Sequence, residues 1–238
     1  YYNFKGLNLS IETLDGLIKH NGPIKDEDKI NNILGKNFFK KKINFNTSPS
    51  LEAQIASISD DIAYNSHDLE DGLKAKLFSL KDIRNIPVLK KIIQKHEYKK
   101  NKFSEELIMR QIIREIINEM VKDVILNTKK NLKIGNIKTV KDVYSASYPL
   151  VSFSNKMKLF DQKVKIFLKE NMYYHKNVIH KTNQGKKIIK KLFLIIKKNP
   201  KKFINFYNYK KINIDRLVCD FIAGMTDRYA INLYNKLK

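Results

Sequence analysis

Between positions 51 and 72 the chain reads LEAQIASISDDIAYNSHDLEDG, which sets six carboxylates beside one tyrosine and one histidine. A helix turns by about 100° per residue. On that wheel Asp60, Tyr64 and Asp68, spaced i, i+4 and i+8, stack on one face. The small residues Ala53, Ala56 and Ser57 lie near that face and leave room for a ligand. The competing reading is a solvated acidic helix face. His67-Asp68 spells a metal-binding dipeptide. Adjacent side chains on a helix diverge by about 100°, so that pair can share an ion only with ligands from other helices. His20, His96, His175 and His180 stand in no second ligand motif.

Other chemistry-bearing residues are sparse. The chain has five arginines, Arg84, Arg110, Arg114, Arg216 and Arg228, against a large excess of lysine. A guanidinium grips phosphate in a bidentate geometry that lysine cannot match, so Arg114, Arg216 and Arg228 are candidate phosphate contacts. A helix-surface ion pair explains each of them equally well. Cys219, the one cysteine, reads as a small core residue rather than a nucleophile. His20, in KHNGP, reads as a group that caps or packs at a helix end.

The elements that must carry these residues read as helices. Ser10 opens SIETLDGLIKH (10–20), and Ser48 or Ser50 opens the acidic segment. DEDKINNILGK (26–36) starts on acids and ends at Gly35, and a basic loop, FFKKKINFNTSPS (38–50), follows. In the acidic segment Leu51, Ile55, Ile58 and Ile62 fall in a narrow arc and form its expected buried stripe. The longest periodic run, 104–132, places Leu107, Ile108, Ile112, Ile116, Met120, Val124 and Ile125 at helical spacing. KIGNIKTV (133–140) reads as short and extended, and three further helical segments cover 155–175, 185–200 and 213–238.

Composition sets the outer limits. Of 238 residues 42% are hydrophobic, enough for a core, and the low Gly and Pro content favours helices over strands and turns. A lone cysteine excludes an intramolecular disulfide and points to a reducing compartment, read as the cytoplasm. No apolar run reaches membrane-spanning length, and no signal peptide is visible. The start at Tyr1, already inside patterned sequence, points to a missing N-terminal portion. A net charge of +23 suits a nucleic-acid partner. A Lys, Asn and Ile excess of the kind AT-rich codons impose would give the same charge without one.

The strings GLNLSIETLDGLIKHNGP (6–23), SLEAQIASISDDIAYNSHDLEDGLKAKLF (50–78), PLVSFSNKM (149–157) and RLVCDFIAGMTDRYA (216–230) resemble the deoxyguanosinetriphosphate triphosphohydrolase-like family. This is the bacterial dNTPase branch of the HD-domain phosphohydrolases. The resemblance runs in order along nearly the whole chain and implies an all-α, HD-domain-like fold from which the N-terminal metal-binding helices are missing. It implies that residues 1–84 are the C-terminal part of the catalytic core and that 85–238 form a helical region packing on it.

The resemblance also implies hydrolysis of a deoxynucleoside triphosphate to the deoxynucleoside and tripolyphosphate at one divalent metal, Mg or Mn by preference. Asp60 then takes the place of a metal ligand. Tyr64 matches the tyrosine beside the sugar and phosphates, and Asp68 the carboxylate that accepts from the deoxyribose 3′-hydroxyl. The family's His and His-Asp metal ligands have no counterpart in this sequence, and His67-Asp68 is not that pair. MYYH (172–175) carries Tyr174 where the family has Arg. This chain alone is therefore expected to hydrolyse dNTPs poorly or not at all. The alternative is a non-catalytic nucleotide-binding, nucleic-acid-binding or oligomerisation remnant. A homo-oligomer and single-stranded nucleic acid are further expected partners, and a membrane is not.

Overall fold

The computed structural model describes residues 7–34, 43–97, 103–204 and 213–237. Among them every regular element is helical and no strand occurs, as the composition implies. Gly35 and residues 38–42 of the basic loop lie outside the described residues.

Short polar residues set the helix starts. α1 (Ile11–Ile18) begins at Ser10, whose hydroxyl accepts from Thr13 N. α2 is Glu27–Leu34 and opens on two acids. α3 (Leu51–Lys74) is capped by Ser50, which accepts from Ala53 N at 3.2 Å. Ser48 has another task, its backbone N–H donating to Tyr144 O. After the short α4 (Leu80–Ile83) come α5 (Leu89–Glu97) and the 30-residue α6 (Glu105–Ile134). Each satisfied cap is worth about 1 kcal/mol.

The KIGNIKTV segment is not extended. α6 runs through its first two residues to Ile134 and ends on Gly135, and Thr139 opens α7 (Val140–Ser145) through a capping box with Asp142. That box is a strong local start signal, and it outweighs the mixed composition around it. α8 (Asn155–Leu168) and a π-helical turn, Lys169–Tyr173, follow.

Two compact units result, 1–169 and 170–238. In the first, α3 packs against α1, α6 and α8, and α5 packs against α6. Ile108, Ile112, Ile116, Met120 and Val124 of α6 are buried as the periodicity predicts, whereas Leu107 and Ile125 are exposed. Each fully buried aliphatic side chain contributes roughly 1.5–3 kcal/mol.

α3 departs further from expectation. Ile62 is buried, Leu51 and Ile58 are only partly so, and Ile55 is 50% exposed. Its inward surface is instead made of Gln54, Asn65, Ser66, Leu69 and Gly72 together with Ile62 and Ala53. Gly72 is small for a steric reason, because a Cβ there would run into the Phe78 ring. That ring in turn meets Phe167 edge-on, at 4.9 Å between centroids.

The second unit holds α9 (Lys176–Lys198), α10 (Ile214–Ala223) and α11 (Asp227–Leu237). Leu192 and Ile196 of α9 are fully buried against Leu217, Val218 and Ile222 of α10 and Ala230 of α11. Cys219 is exposed, which corrects its reading as a core residue. α10 turns Leu217, Val218 and Ile222 inward, and position 219 falls about 60° beyond the edge of that arc.

Candidate functional site

The acidic face survives on α3, and buried polar contacts on the adjoining side of the helix hold it. Gln54 Oε1 accepts from Leu150 N (2.8 Å) and Val151 N (3.0 Å), while its Nε2 donates to Pro49 O (2.9 Å). Asn131 Nδ2 of α6 donates to Leu150 O at 3.0 Å, so the 149–151 segment is held from two helices. Three turns along α3, Asn65 Nδ2 donates to Asp161 Oδ1 of α8 at 2.6 Å. Lys165 bridges Asp161 (3.0 Å) and Asp61 (3.1 Å). At the start of α8, Asp123 of α6 accepts from Ser154 N (2.8 Å) and Ser154 Oγ (2.6 Å).

These contacts shift the charges involved. Burial pushes the Asp161 carboxyl above the ordinary aspartate range, and nearby Asp61 adds to that, against the pull of Lys165 and Asn65. Burial alone would lower the Lys165 ammonium, but its bonds to Asp161 and Asp61 outweigh it and the net direction is up.

Of the residues predicted from sequence, Asp60 is exposed, Tyr64 is 62% exposed and Asp68 is half-buried. All three lie on α3, where at about 100° per residue Asp60 is about 140° round from the buried Asn65, Tyr64 about 100° and Asp68 about 60°. His67 is exposed, with Nδ1 3.7 Å from Glu70 Oε2, and Glu70 also pairs with Lys74 at 2.6 Å. Lys74 holds the Glu70 carboxyl below its ordinary range. Among the described residues no group of three or more His, Cys, Asp or Glu side chains is placed to hold a metal ion. Asp60 by itself is one exposed carboxylate, so the described residues do not make a metal site.

A cavity of about 1090 Å³ opens along the neighbouring flank of α3, where Gln54, Ser57, Ile58 and Asp61 form one wall. Asn127 and Asn131 of α6, the 146–156 segment and His20 after α1 complete it. Asp60, Tyr64 and Asp68 are not on its walls. His20 is placed there by Lys19, a fully buried cation. Lys19 pairs with Asp15 at 2.7 Å, donates to Thr47 Oγ1 at 2.8 Å and sits 5.7 Å from the Tyr144 ring centre.

The arginines fall in both units. Arg114 is exposed on α6, Arg228 is exposed on α11, and Arg216 pairs with Asp220 one turn away at 2.8 Å. Tyr174 is exposed, and His175 caps α9.

Sequence reading missed Gln54, Asn65, Asp161 and Lys19. One signal was present for the first two. Eleven residues apart on a helix is three turns plus about 20°, so both polar residues share a register next to the Ile stripe.

Residues 151–236 match the phosphohydrolase-associated domain family. The chain is homologous over its whole length to deoxyguanosinetriphosphate triphosphohydrolase-like proteins. It is 52% identical over 233 residues to the one from Pelagibacter ubique, covering 98% of this chain and 62% of the relative. With those of Bartonella quintana and Caulobacter vibrioides it shares 38% and 35% identity across 100% of its own length and 62% of theirs. The chain thus spans less than two thirds of these relatives. No helix among the described residues is long and apolar enough to cross a membrane.

Proposed function

We propose that this chain forms one wall of a site that hydrolyses deoxynucleoside triphosphates to the deoxynucleoside and tripolyphosphate. In this reading Asp68 accepts a hydrogen bond from the sugar 3′-hydroxyl, and the Tyr64 ring lies against the sugar and phosphates. Asp60 is one donor to a divalent ion, Mg or Mn by its preference for oxygen ligands. When bound, such an ion polarises a phosphate oxygen. The exposed guanidinium of Arg114, in the same unit as these residues, is available for phosphate.

One observation carries the proposal. Asp60, Tyr64 and Asp68 share one face of a helix that Gln54 and Asn65 pin by buried hydrogen bonds, in a chain homologous over its length to triphosphohydrolase-like proteins. A pinned helix keeps its outward side chains in fixed register, which a binding wall requires. A lone carboxylate leaves an ion mostly in water. Binding without turnover is therefore the behaviour expected of these 238 residues by themselves.

The test is a titration of the purified chain with dGTP and Mg²⁺, followed by backbone NMR and by tripolyphosphate release. Shifts centred on residues 60–68 at millimolar nucleotide, weakened by Asp68→Asn, with no release, are expected. Absence of any response in α3 would overturn the wall. Release that Asp60→Ala abolishes would overturn the expectation of an inactive chain.

A further inference from the structure

Between positions 51 and 73 α3 carries six carboxylates and neither lysine nor arginine. A nucleotide brings several negative charges to this helix, and each unpaired carboxylate within reach of them repels. Asp61 stands directly beside Asp60 in sequence. At about 100° per residue it is about 60° round from Tyr64, and only about 20° off the line of Asp68 two turns on. Asp61 thus borders the candidate nucleotide face, and its side chain is 50% exposed.

A cation from another helix meets it. Lys165 Nζ of α8 is 3.1 Å from Asp61 Oδ1 and 3.0 Å from Asp161 Oδ2. Asn65 of α3 donates to the same Asp161 at 2.6 Å, so the ammonium is seated on a buried carboxylate that α3 itself holds. Asn65 and Asp161 join α3 to α8 without Lys165. The exposed pair with Asp61 adds little to stability. What it changes is the field beside Asp60, because an ammonium at contact distance offsets the Asp61 charge toward anything that approaches from solvent.

We infer that Lys165 is a positioning residue for the phosphate end of a bound nucleotide, acting through Asp61. The ion pair cancels a carboxylate that would repel the phosphates, and Asp60 meets them without a second negative charge at its side. The inference rests on the nucleotide-wall reading above. Its chemistry is charge and not shape, so it separates a phosphorylated ligand from the bare nucleoside. Deoxyguanosine has the sugar that Tyr64 and Asp68 would contact and no phosphate. Its binding is indifferent to Lys165, whereas that of dGTP depends on it. Arginine at position 165 serves as well, since the task is to supply one positive charge within reach of Asp61.

The experiment titrates the full chain with dGTP and Mg²⁺, and separately with deoxyguanosine, and follows α3 by backbone NMR. Lys165→Gln frees the Asp61 charge and should weaken dGTP on the order of fivefold, with deoxyguanosine unchanged. Lys165→Arg should bind both like the parent. Adding Asp61→Asn to Lys165→Gln removes the stranded charge and should restore dGTP binding. Asp61→Asn alone, at an exposed position, should bind dGTP at least as tightly as the parent, and it carries the test if Lys165→Gln fails to fold. Lys163→Gln takes the same charge from an exposed position of α8 without freeing a carboxylate and should bind like the parent. Equal losses of dGTP and deoxyguanosine in Lys165→Gln would make Lys165 a structural tie and overturn the inference. So would a double variant as weak as Lys165→Gln, a loss in Lys163→Gln equal to that in Lys165→Gln, or weaker dGTP binding by Asp61→Asn. If dGTP draws no α3 response from the parent, the wall itself fails and the inference with it.

Discussion

The two units are held together by different means. In residues 1–169 buried polar groups reach far along the chain: Gln54 to 149–151, Asn65 to Asp161, and Lys19 to Thr47. In residues 170–238 the core is the aliphatic cluster of Leu192, Ile196, Leu217, Val218 and Ile222, and the ion pairs are on the surface. A polar tie is directional and fixes where a neighbouring side chain points. An aliphatic core is tolerant of detail, provided it is filled. The candidate nucleotide-facing residues stand on the directional unit, where a wall must keep its register. The eight lysines of α9 stand on the tolerant one.

Truncating one anchor of each kind tests that contrast, and these are the largest effects expected. Gln54→Ala removes three hydrogen bonds and strands two buried N–H groups. At about 1–3 kcal/mol per unsatisfied group, the 1–169 unit should lose about 3–5 kcal/mol. Leu192→Ala leaves a cavity costing about 2–5 kcal/mol in the 170–238 unit. The variants separate when repacking is allowed. Leu192→Met should recover most of its loss, whereas Gln54→Met, of similar size, should recover little. Urea unfolding followed by NMR signals from each unit reads both. Equal recovery at the two positions would sink the distinction.

How much of this was legible in the sequence follows the same division. Helical periodicity exposed the α6 stripe at Ile108, Ile112, Ile116, Met120 and Val124, because an apolar core leaves an apolar pattern. The caps at Ser10 and Ser50 were legible because their chemistry is local. The inward face of α3 was not. Its Ile stripe invited an aliphatic reading, yet Ile55 is half exposed and Gln54 and Asn65 go inward. Their partners lie 96 residues away, and no local pattern encodes a contact at that distance. Cys219 was misread because residue type alone was weighed, without the register of α10. The positions of Asp60, Tyr64 and Asp68 on one face needed only the helical repeat.

A smaller effect separates the polar ties by pH. The Asp161 carboxyl is raised in the folded chain, first by burial. Such a group adds stability that is fully present below its unfolded value of about 3.9 and lost as pH rises through its folded value. Asp161→Asn removes that loss. Between pH 4 and 7 the stability of the variant should therefore decline less than that of the parent. Glu115 behaves oppositely. Burial would raise it, but bonds from Lys95 and His96 hold it below its ordinary range, so its contribution is lost as pH falls. Glu115→Gln should flatten the acid limb only. Urea midpoints at several pH values distinguish the two, and an Asp161→Asn offset that is constant across pH would refute the raised carboxyl.

The smallest effect is the most informative about function. Asp60 and Tyr64 face outward from the same helix turns whose inner side carries Asn65. Asn65→Ala deprives buried Asp161 of a 2.6 Å partner and should cost about 1–3 kcal/mol. Asp60 and Tyr64 are exposed, so Asp60→Ala and Tyr64→Ala should change stability by no more than about 0.5 kcal/mol. A residue that stability does not need, on a helix that stability holds rigid, is free to serve a ligand. If Asp60→Ala instead destabilised the chain as much as Asn65→Ala, the outward face would be structural, and α3 would lose its claim to be a binding wall.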